Sequence, residues 1–475
     1  MKTLMLLLFT ILFMAIIPAV YPQKSWSLED CINYALDNNL DIKKQILTVE
    51  SNKAQVLQSK LNLLPNLNAN ATNVWNLGQT IDLYTNSFAT NTVRSNNFYI
   101  QSELALFNGF TKINTISQNR LNLLASNYDL DVMKNNISLA VAGYYLDILF
   151  NTELLDVARN QVGITKDQVA RISKMVDAGS SAKGDLLNIE AEESAEEFAV
   201  VDAENKLNIA YLSLQQLIDH PVSRDFLIEK PVLKSVEKPS EVLTPEQIFG
   251  YALLNRPEIK SADLHVQSTL KSLAISRGKL VPLLSVGASW GTGYSGASKV
   301  GTPGDTVFIP FGYTQNSKDP VLIPEVSYSY HVKSFSDQLN DNNNKSVGFY
   351  LNIPIFNGWQ GRTAIAQAKI QRDQAELNLE AQKRDLRKSI EQAYADAIAA
   401  LNKYNSSMQK LTAQKESFNY TQQKFDVGLL TSFDFNNAKK DLTKAESDLL
   451  QAKYDFIFKT TILDYYMGKP ISINK

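Results

Sequence analysis

The sequence predicts a tandem-duplicated membrane α/β barrel, built from pairs of alternating strands that lead into long helical hairpins. Three observations predict it. A repeat covers nearly all of the 475 residues, a strand-like alternation leads to Phe-Asn-Gly in each half, and a heptad pattern follows at once. The mean hydropathy of −0.19 excludes a bundle of membrane-spanning helices, but it is compatible with a membrane barrel, whose strands carry weak hydropathy signals.

The N-terminal residues predict a secretory signal peptide over residues 1–22. Lys2 supplies a positive charge, Leu4 to Ile17 form an apolar stretch, and small residues follow near Ala19. An uncleaved anchor is the alternative, but about 14 apolar residues are too few to span a bilayer. We therefore expect an exported chain, whose cleavage point stays open.

The rest of the chain is a tandem duplication. Residues 107–222 align without a gap with residues 356–471, and residues 34–71 align with residues 251–288. The second half carries an insertion, which we expect to form a long extracellular loop over residues 296–345. The predicted domains are a first structural repeat over 23–222, a linker over 223–243 and a second structural repeat over 244–475.

Each repeat opens with a polar helical segment, predicted over residues 27–62 and 244–279. Ser27 and Thr244 stand at its start as N-caps, and acidic residues in the first turn interact favourably with the helix dipole. One continuous helix is expected in each half.

Four segments then alternate between apolar and polar residues, as half-buried strands do. Their apolar residues are Leu67, Ala69, Ala71 and Trp75; Phe98, Ile100, Leu104 and Leu106; Leu284, Val286, Ala288 and Trp290; and Val347, Phe349, Leu351, Ile353 and Ile355. If these faces meet lipid, the four strands of one chain cannot close a barrel, because about eight is the smallest useful number. The barrel must then be shared between copies. A soluble sheet that covers a core is the alternative.

A long helix is predicted after Phe-Asn-Gly in each half, over residues 108–176 and 357–425. An apolar residue recurs at every seventh position, which predicts a supercoiled helix about 100 Å long. The recurring residues are Val141, Ile148, Leu155, Val162, Val169 and Val176, and Ile390, Ala397, Tyr404, Leu411, Phe418 and Phe425. The pattern ends near a glycine, as a hairpin turn requires, and return helices follow over 182–218 and 431–466.

This order of elements resembles the TolC-type outer membrane efflux protein family. The resemblance rests on the duplicated series of helix, strand pair, long helix, hairpin and helix, on the "LFNG" and "IFNG" turns, and on a glycine and an aspartate at each hairpin tip. It implies a homotrimer with a 12-stranded β-barrel in the outer membrane of a Gram-negative bacterium. The barrel would be continuous with a long periplasmic α-helical coiled-coil barrel.

The resemblance also implies the outer membrane channel of a tripartite efflux or type I secretion system. Such a channel is a passive exit duct for substrates that an inner-membrane pump delivers. The implied partners are a periplasmic adaptor protein, an inner-membrane transporter of the RND or ABC type, and outer membrane lipid. Whether the cargo is a drug, a metal ion or a protein stays open.

Two other functions are weighed against the duct. A periplasmic adaptor, or membrane fusion protein, also has coiled-coil hairpins, but it should show one hairpin flanked by two small β halves. A structural coiled-coil tether would not need a duplicated strand pair.

The resemblance implies a pore tip at the two helical hairpins. Asp185 and Asp434 match the tip aspartates, and three copies of each would form a negative ring that favours cations. The alternative is that each aspartate caps its return helix. Asn188 and Asn437 stand where the family can carry a second acid.

Closure of the tip is expected to depend on apolar packing. Leu430 stands where some relatives carry an arginine that holds the mouth shut, so we expect Phe425 and its neighbours to close the pore instead. The residues implied to contact the adaptor are Gly179, Gly428, Asp177 and Asp426. The residues implied to join barrel and tunnel are Phe107, Asn108, Gly109, Phe356, Asn357 and Gly358.

The sequence predicts no catalytic residue, cofactor or metal site. His220, His265 and His331 do not have the spacing of metal ligands. The sequence "GTGYSG" at 291–296 fits a dinucleotide fingerprint, but no helix is predicted after it to receive a pyrophosphate. A net charge of −2 gives no reason to expect nucleic-acid binding. Cys31 is the single cysteine, so no intrachain disulfide can form.

Overall fold

The computed structural model describes residues 25–89, 92–223, 225–231 and 243–472. The predicted signal peptide and most of the predicted linker lie outside these residues. The chain divides into two compact units. The helical unit holds the described parts of residues 1–52, 122–266 and 375–475, and the strand unit holds those of 53–121 and 267–374. No helix within the described ranges combines the length and apolar character needed to cross a membrane.

The helices follow the duplicated order. The first repeat contains α1 (Leu28–Asn38), α2 (Leu40–Leu61), α3 (Thr111–Asp177) and α4 (Lys183–Leu217). The second contains α5 (Pro245–Asn255), α6 (Pro257–Gly278), the short α7 (Phe335–Asp341), α8 (Gln360–Asp426) and α9 (Ser432–Tyr466). The long helices α3 and α8 have 67 residues each, and the return helices α4 and α9 have 35 each. The predicted hairpins are therefore present in both halves.

The prediction of one continuous opening helix in each half is wrong. α1 gives way to α2 at Asn39, and α5 gives way to α6 at Arg256, each with a ψ of 129°. At Arg256 the following Pro257 disfavours the helical conformation. At Asn39 the side-chain Oδ1 instead accepts hydrogen bonds from the backbone N–H groups of Asp41 (2.9 Å) and Ile42 (3.2 Å). Asn39 thus starts a new helix as its cap.

Each break also contacts the end of the return helix of its own repeat. Asn39 Nδ2 donates to the carbonyl oxygen of Leu217, the last residue of α4, at 3.0 Å. Arg256 Nη1 donates to the carbonyl oxygen of Tyr465 near the end of α9, at 3.4 Å, and its guanidinium carbon lies 3.8 Å from the Tyr465 ring centre. The last carbonyls of a helix have no intrahelical partner, and Asn39 supplies a donor to that of Leu217. The Tyr465 carbonyl also accepts from the N–H of Gly468 at 3.1 Å, so Arg256 adds a second donor there. The two repeats build the same joint from different side chains.

The heptad residues lie where the sequence predicts. All twelve of them, from Val141 to Val176 on α3 and from Ile390 to Phe425 on α8, are buried or half-buried. A continuous apolar seam along one side of a helix is the feature that lets neighbouring helices pack over many turns. The seam therefore holds each long helix against its neighbours.

Equivalent residues of the two repeats form two equivalent cores. The first core contains Cys31, Ala35, Val141, Ile148 and Leu214. The second contains their repeat counterparts Ile248, Ala252, Ile390, Ala397 and Leu463. The duplication in the sequence is thus a pseudo-symmetry in the packing.

The first core has an additional anchor. The Tyr145 hydroxyl donates to the carbonyl oxygen of Glu229 at 2.6 Å and also contacts that of Trp26 at 3.2 Å. Burial raises the pKa of Tyr145, so the phenol stays neutral and keeps its proton to donate. Trp26 ends the short strand β1 (Ser25–Trp26) and Glu229 follows the parallel strand β6 (Leu227–Ile228), so Tyr145 fixes both strands to α3.

The equivalent aspartates Asp147 and Asp396 have pKa values shifted in opposite directions. Asp396 accepts a hydrogen bond from Lys459 Nζ at 2.9 Å, and that bond lowers the pKa of Asp396. Burial instead raises the pKa of Asp147, the counterpart on α3. The Asp396 contribution to stability is present above the carboxyl's unfolded pKa and is lost as the pH falls through the folded pKa. Burial of Asp147 opposes folding as the pH rises through its raised pKa.

The strand unit contains a four-stranded antiparallel sheet. Its order is β10 (Asn344–Asn352), β7 (Leu283–Ser295), β5 (Val93–Phe107) and β2 (Asn68–Asn76). The short strands β3 (Thr80–Ile81) and β4 (Phe88–Ala89) pair beside it. β10 ends three residues before the predicted apolar pattern does, because Pro354 has no N–H for the ladder.

The register places the predicted apolar residues on one face of this sheet. Phe349 lies opposite Val286, and Val286 lies opposite Leu104. Four residues farther along β7 and on the same face, Trp290 lies opposite Ile100, and Ile100 lies opposite Ala69. On the edge strand this face is open, since Phe349 is 73% exposed. The sheet therefore presents an apolar surface that nothing in the described chain covers there.

The four predicted strands form the main sheet, but the expectation of a long loop over 296–345 is wrong. The insertion forms two further long strands, β8 (Lys299–Tyr313) and β9 (Pro320–Val332), followed by α7. β8 and β9 pair with each other from Lys299 opposite Val332 to Tyr313 opposite Pro320. Their glycines and prolines favoured a loop prediction, but prolines are tolerated at the free edges of a two-stranded ribbon.

We predict that Arg256→Ala lowers the free energy of unfolding by about 3 kcal/mol, because it leaves the partners of a buried charge unpaired. The Arg256 side chain is only 7% exposed, and its Nε donates to Glu258 Oε1 at 3.0 Å. Urea unfolding followed by far-ultraviolet circular dichroism measures the change. Arg256→Lys should also lose stability, since one ammonium cannot replace the guanidinium fork. A fully stable Arg256→Lys variant would contradict this account of the joint.

Candidate functional site at the helical hairpin tips

Both hairpin turns are closed by the same glycine motif. Gly179 has a φ of 75° and Gly428 a φ of 78°, a left-handed conformation that favours glycine. The N–H of Gly179 donates to the carbonyl of Val176 (2.9 Å), and that of Ser180 donates to Met175 (2.8 Å). Gly428 and Leu429 repeat these two bonds with the end of α8. This is the Schellman closure, and it fixes a short, exposed turn at each tip.

The tip aspartates Asp185 and Asp434 are each the third residue of a return helix. Asp434 accepts a hydrogen bond from the Thr431 hydroxyl at 2.7 Å, while its own N–H donates to that hydroxyl oxygen at 3.1 Å. Asp185 accepts from the Ser181 hydroxyl at 3.1 Å. A carboxylate in the first turn also interacts favourably with the helix dipole. Asp434 therefore belongs to the N-terminal cap of α9, whereas Ala182 at the start of α4 makes no side-chain cap hydrogen bond and Asp185 contacts only the Ser181 hydroxyl. A pore-lining role is open to both side chains.

The other predicted tip residues lie around the same turns. Asp177 and Asp426 are the last residues of α3 and α8, and both are exposed. Asn188 and Asn437 are exposed one turn after the tip aspartates, and Leu430 is half-buried within the second turn.

An ion pair joins the two hairpins close to the turns. Arg171 on α3 forms a salt bridge with the carboxylate of Asp426 on α8, and its Nη2 donates to the Asp426 carbonyl oxygen at 3.0 Å. The Arg171 guanidinium also lies 5.7 Å from the centre of the Phe425 ring. Both charged side chains are more than a third exposed, so the pair is screened by salt. The sequence prediction, which looked for an arginine at position 430, missed this one.

Phe425 lies in an aromatic cluster within the second hairpin. Its ring stacks on that of Phe435 with centroids 4.6 Å apart, and Phe418 contacts Phe435 at 5.4 Å. Phe435 is fully buried. Phe425 therefore packs in an apolar cluster centred on Phe435, and closure of the pore by Phe425 stays a prediction.

A buried polar network joins the hairpins farther from the turns. Lys439 on α9 lies with its Nζ 2.8 Å from Glu196 Oε1 on α4, and the two side chains are 2% and 11% exposed. Lys439 also donates to the hydroxyl of Thr165 on α3, and that hydroxyl donates to Glu196. Three helices of two hairpins thus share one satisfied network. A buried charge with its partner and its hydrogen bonds in place resists separation, because parting it leaves a charge unpaired.

The sequence carried one signal for this network. Lys439 follows Phe435 by four residues, so the two side chains lie on the same face of α9. A lysine on the buried face of an amphipathic helix requires a buried acid. Which acid, on which helix, depends on packing between residues far apart in the chain.

The Phe-Asn-Gly turns lie within the strand unit. Gly109 and Gly358 have φ values of 61° and 62°, and each is followed by a second left-handed residue, Phe110 or Trp359. A Cβ on Gly109 would lie 2.3 Å from the carbonyl oxygen of Gly278, so two backbones meet there. At Gly358 there is open space, and only the backbone conformation requires glycine.

The residues beside these glycines complete the turns. Phe107 is the last residue of β5, and the Asn108 carbonyl accepts from the N–H of Thr111 at the start of α3. The Asn357 carbonyl does the same for Gln360 of α8, whereas Phe356 is 80% exposed and lies outside β10. The first Phe-Asn-Gly therefore follows a strand directly, and the second follows a short irregular segment.

We predict that Lys439→Met lowers the free energy of unfolding by about 3 kcal/mol, because Glu196 then stays buried without a partner. Lys440→Met is the matched control. Its ammonium is exposed beside Glu192, so removal should cost less than about 1 kcal/mol. The double variant Lys439→Met with Glu196→Leu should regain part of the loss, since no charge remains buried. Urea unfolding followed by circular dichroism measures these free energies. An equal loss in the Lys439→Met and Lys440→Met variants would contradict the network.

Comparison with known proteins identifies a family. A sequence model of the outer membrane efflux protein family matches residues 31–220 and 249–468. The outer membrane efflux protein BepC of Brucella suis biovar 1 is 25% identical over 150 residues, which are 31% of this chain and 33% of BepC. The alkaline protease secretion protein AprF of Pseudomonas aeruginosa is 20% identical over 319 residues, 66% of this chain and 57% of AprF. The chain thus spans less than two thirds of the length of these relatives.

A solved structure extends the likeness to the fold. The Campylobacter jejuni CmeC outer membrane channel is similar with a TM-score of 0.75 at 15% identity, covering 94% of this chain and 87% of that chain. The likeness confirms the predicted fold class. The family consists of channel proteins, and its match confirms the predicted location in the outer membrane. The resemblance found in the sequence is therefore correct, and the chain belongs to the outer membrane efflux protein family.

Proposed function

We propose that the chain forms a passive exit duct across the periplasm and the outer membrane, with three copies sharing a 12-stranded barrel. The four-stranded sheet carries this proposal. Within the described residues, β2 and β10 each pair on one side only, and the apolar face of β10 is exposed. Unpaired strand edges are not tolerated in hydrocarbon, so a sheet that meets lipid has to be closed by further copies.

The hairpin tips are the proposed entrance of the duct and its contact with a periplasmic adaptor. Gly179 and Gly428 expose short, firmly closed turns, and Asp177 and Asp426 flank them at the ends of α3 and α8. An inner-membrane transporter of the RND or ABC type would deliver the cargo through that adaptor. The names of the relatives assign efflux to BepC and alkaline protease secretion to AprF. We propose the same general class of export here, with no enzymatic step by this chain.

We predict that replacing both tip aspartates, Asp185→Asn with Asp434→Asn, lowers the preference of the pore for cations. Three copies of each carboxylate form a negative ring only if the side chains line the pore. Single-channel recordings in planar bilayers under a salt gradient measure the preference.

The matched control replaces Asp202 and Asp448 by asparagine, which removes as many charges from the same two helices, away from the tips. Each control aspartate is paired with a lysine, at 2.7 and 2.9 Å. If both double variants keep the original cation preference, Asp185 and Asp434 do not set the selectivity of the pore. A purified protein that never inserts into bilayers would contradict the duct itself.

We predict that Arg171→Ala and Leu430→Ser both raise single-channel conductance. The first removes an ion pair between the hairpins, so its effect should shrink as salt rises. The second removes apolar contact, so its effect should persist in high salt. Arg159→Ala is the control, because Arg159 pairs with Glu204 inside the first hairpin, at 2.7 Å. A conductance that stays at the original value in both variants would show that neither contact holds the tip closed.

A further inference from the structure

The ribbon formed by β8 and β9, here called the insert hairpin, has no counterpart in the first repeat. Within the described part of the chain, its two strands pair only with each other. A two-stranded ribbon alone is marginally stable in water at best, so one of this length needs support from another surface.

The base of the insert hairpin is firmly attached to the sheet. The buried Gln338 of α7 accepts a hydrogen bond from the N–H of Ser295 at 2.9 Å and donates to the carbonyl oxygens of Ser295 (3.0 Å) and Lys333 (2.9 Å). The Lys333 N–H in turn donates to the Ser298 carbonyl at 2.9 Å and closes the ribbon at its base. The attachment fixes where the ribbon leaves the sheet, but it covers none of the distal half.

The distal part, residues 306–313 and 320–326, is here called the apolar half. Glu325 is its single charged residue. The register places apolar residues on both faces. Phe308, Pro324, Pro310 and Leu322 lie on one face, and Val307, Ile309, Ile323 and Val321 lie on the other. Phe308 is 66% exposed and Leu322 is 50% exposed. An exposed apolar surface of this extent, bounded by polar residues, marks an interaction site.

Lipid is a poor occupant for this surface. Both edges of a two-stranded ribbon carry N–H and C=O groups that face away from the ladder, and each one left unpaired in hydrocarbon costs several kcal/mol. Extension by a further strand is also disfavoured, because Pro310, Pro320 and Pro324 remove donors from the two strands. The faces of the ribbon, rather than its edges, are built for contact.

The position of the insert hairpin favours a second copy of the chain as the occupant. The insertion leaves the sheet after β7, at Ser295, and returns at Asn344 into β10. β10 is an edge strand of the sheet, and a neighbouring copy has to pair with it to close a barrel. That neighbour brings its own insert hairpin to the same end of the sheet.

We propose that the apolar halves of neighbouring copies pack against one another, so that the insert hairpins form an interface separate from the barrel strands. This inference rests on the proposed function, because it needs copies that share a barrel. The interface buries side chains on the faces of the ribbons and leaves their proline-containing edges free.

Disulfide cross-linking tests the proposal directly. Cys31 is the single cysteine of the chain, so Cys31→Ala gives a background without a native thiol. In that background, Phe308→Cys and Val307→Cys place one thiol on either face of the ribbon. Under mild oxidation at least one of them should give a cross-linked dimer on a denaturing gel. Thr302→Cys, on the polar base of the same strand, is the control and should give none.

Charge substitution is the second arm. Phe308→Glu with Leu322→Glu places like charges in the proposed interface, and the oligomer should dissociate at a lower temperature in detergent. Thr302→Glu with Ser329→Glu adds the same charge to a pair that lies opposite on the base, and it should leave the dissociation temperature unchanged.

The native mass in detergent separates the two proposals. A trimer that gives no cross-link at either face, and that tolerates the two glutamates, overturns the hairpin interface and leaves the duct standing. A monomer overturns both. A spin label at position 308 gives a third outcome. Strong enhancement of its relaxation by lipid-dissolved oxygen in electron paramagnetic resonance, without cross-linking, would assign the surface to the membrane and would also overturn the inference.

Discussion

Every backbone N–H and C=O that enters hydrocarbon needs a hydrogen-bond partner, and among the described residues the outer strands of the four-stranded sheet have a partner strand on one side only. β10 and β2 are these outer strands, and the inner strands β7 and β5 have a partner strand on both sides. In the proposed duct this sheet is the membrane portion, so a single copy leaves it incomplete. Association is then a requirement of the backbone rather than an optional contact of the surface.

The helical unit shows how a duplicated chain keeps one geometry with different residues. The joint between opening and return helices uses a neutral amide at Asn39 and a buried guanidinium at Arg256, and both donate to helix-terminal carbonyls. In both repeats the acceptor is a carbonyl of the last two residues of the return helix, where intrahelical donors run out. The chemistry differs because a donor of either charge state satisfies that need, although the buried guanidinium also requires an acid, Glu258.

Features that depend on local residue period could be predicted from the sequence. The heptads place Val141 and Ile390 in equivalent cores, and the alternation places Phe349 beside Val286. Features that depend on a distant partner could not. The helix break at Asn39 is fixed partly by Leu217, and the burial of Lys439 by Glu196. The insert hairpin was missed for a third reason, since its prolines mark loops in most contexts but are compatible with the free edges of a ribbon.

The two contacts that join the hairpins differ in how they respond to their surroundings. Arg171 and Asp426 are exposed, so water and salt ions can replace their contact with each other at little cost in free energy. Lys439 and Glu196 cannot, because either charge left alone in the buried site costs several kcal/mol. Salt or a docking partner can therefore act on the Arg171 pair without disturbing the network behind it. Since α9 runs from Ser432 past Lys439, the buried network holds the second return helix within its first turns, and the exposed pair joins the hairpins nearer the tip. The two hairpins are thus held together by one contact that salt screens and by another that is shielded from solvent.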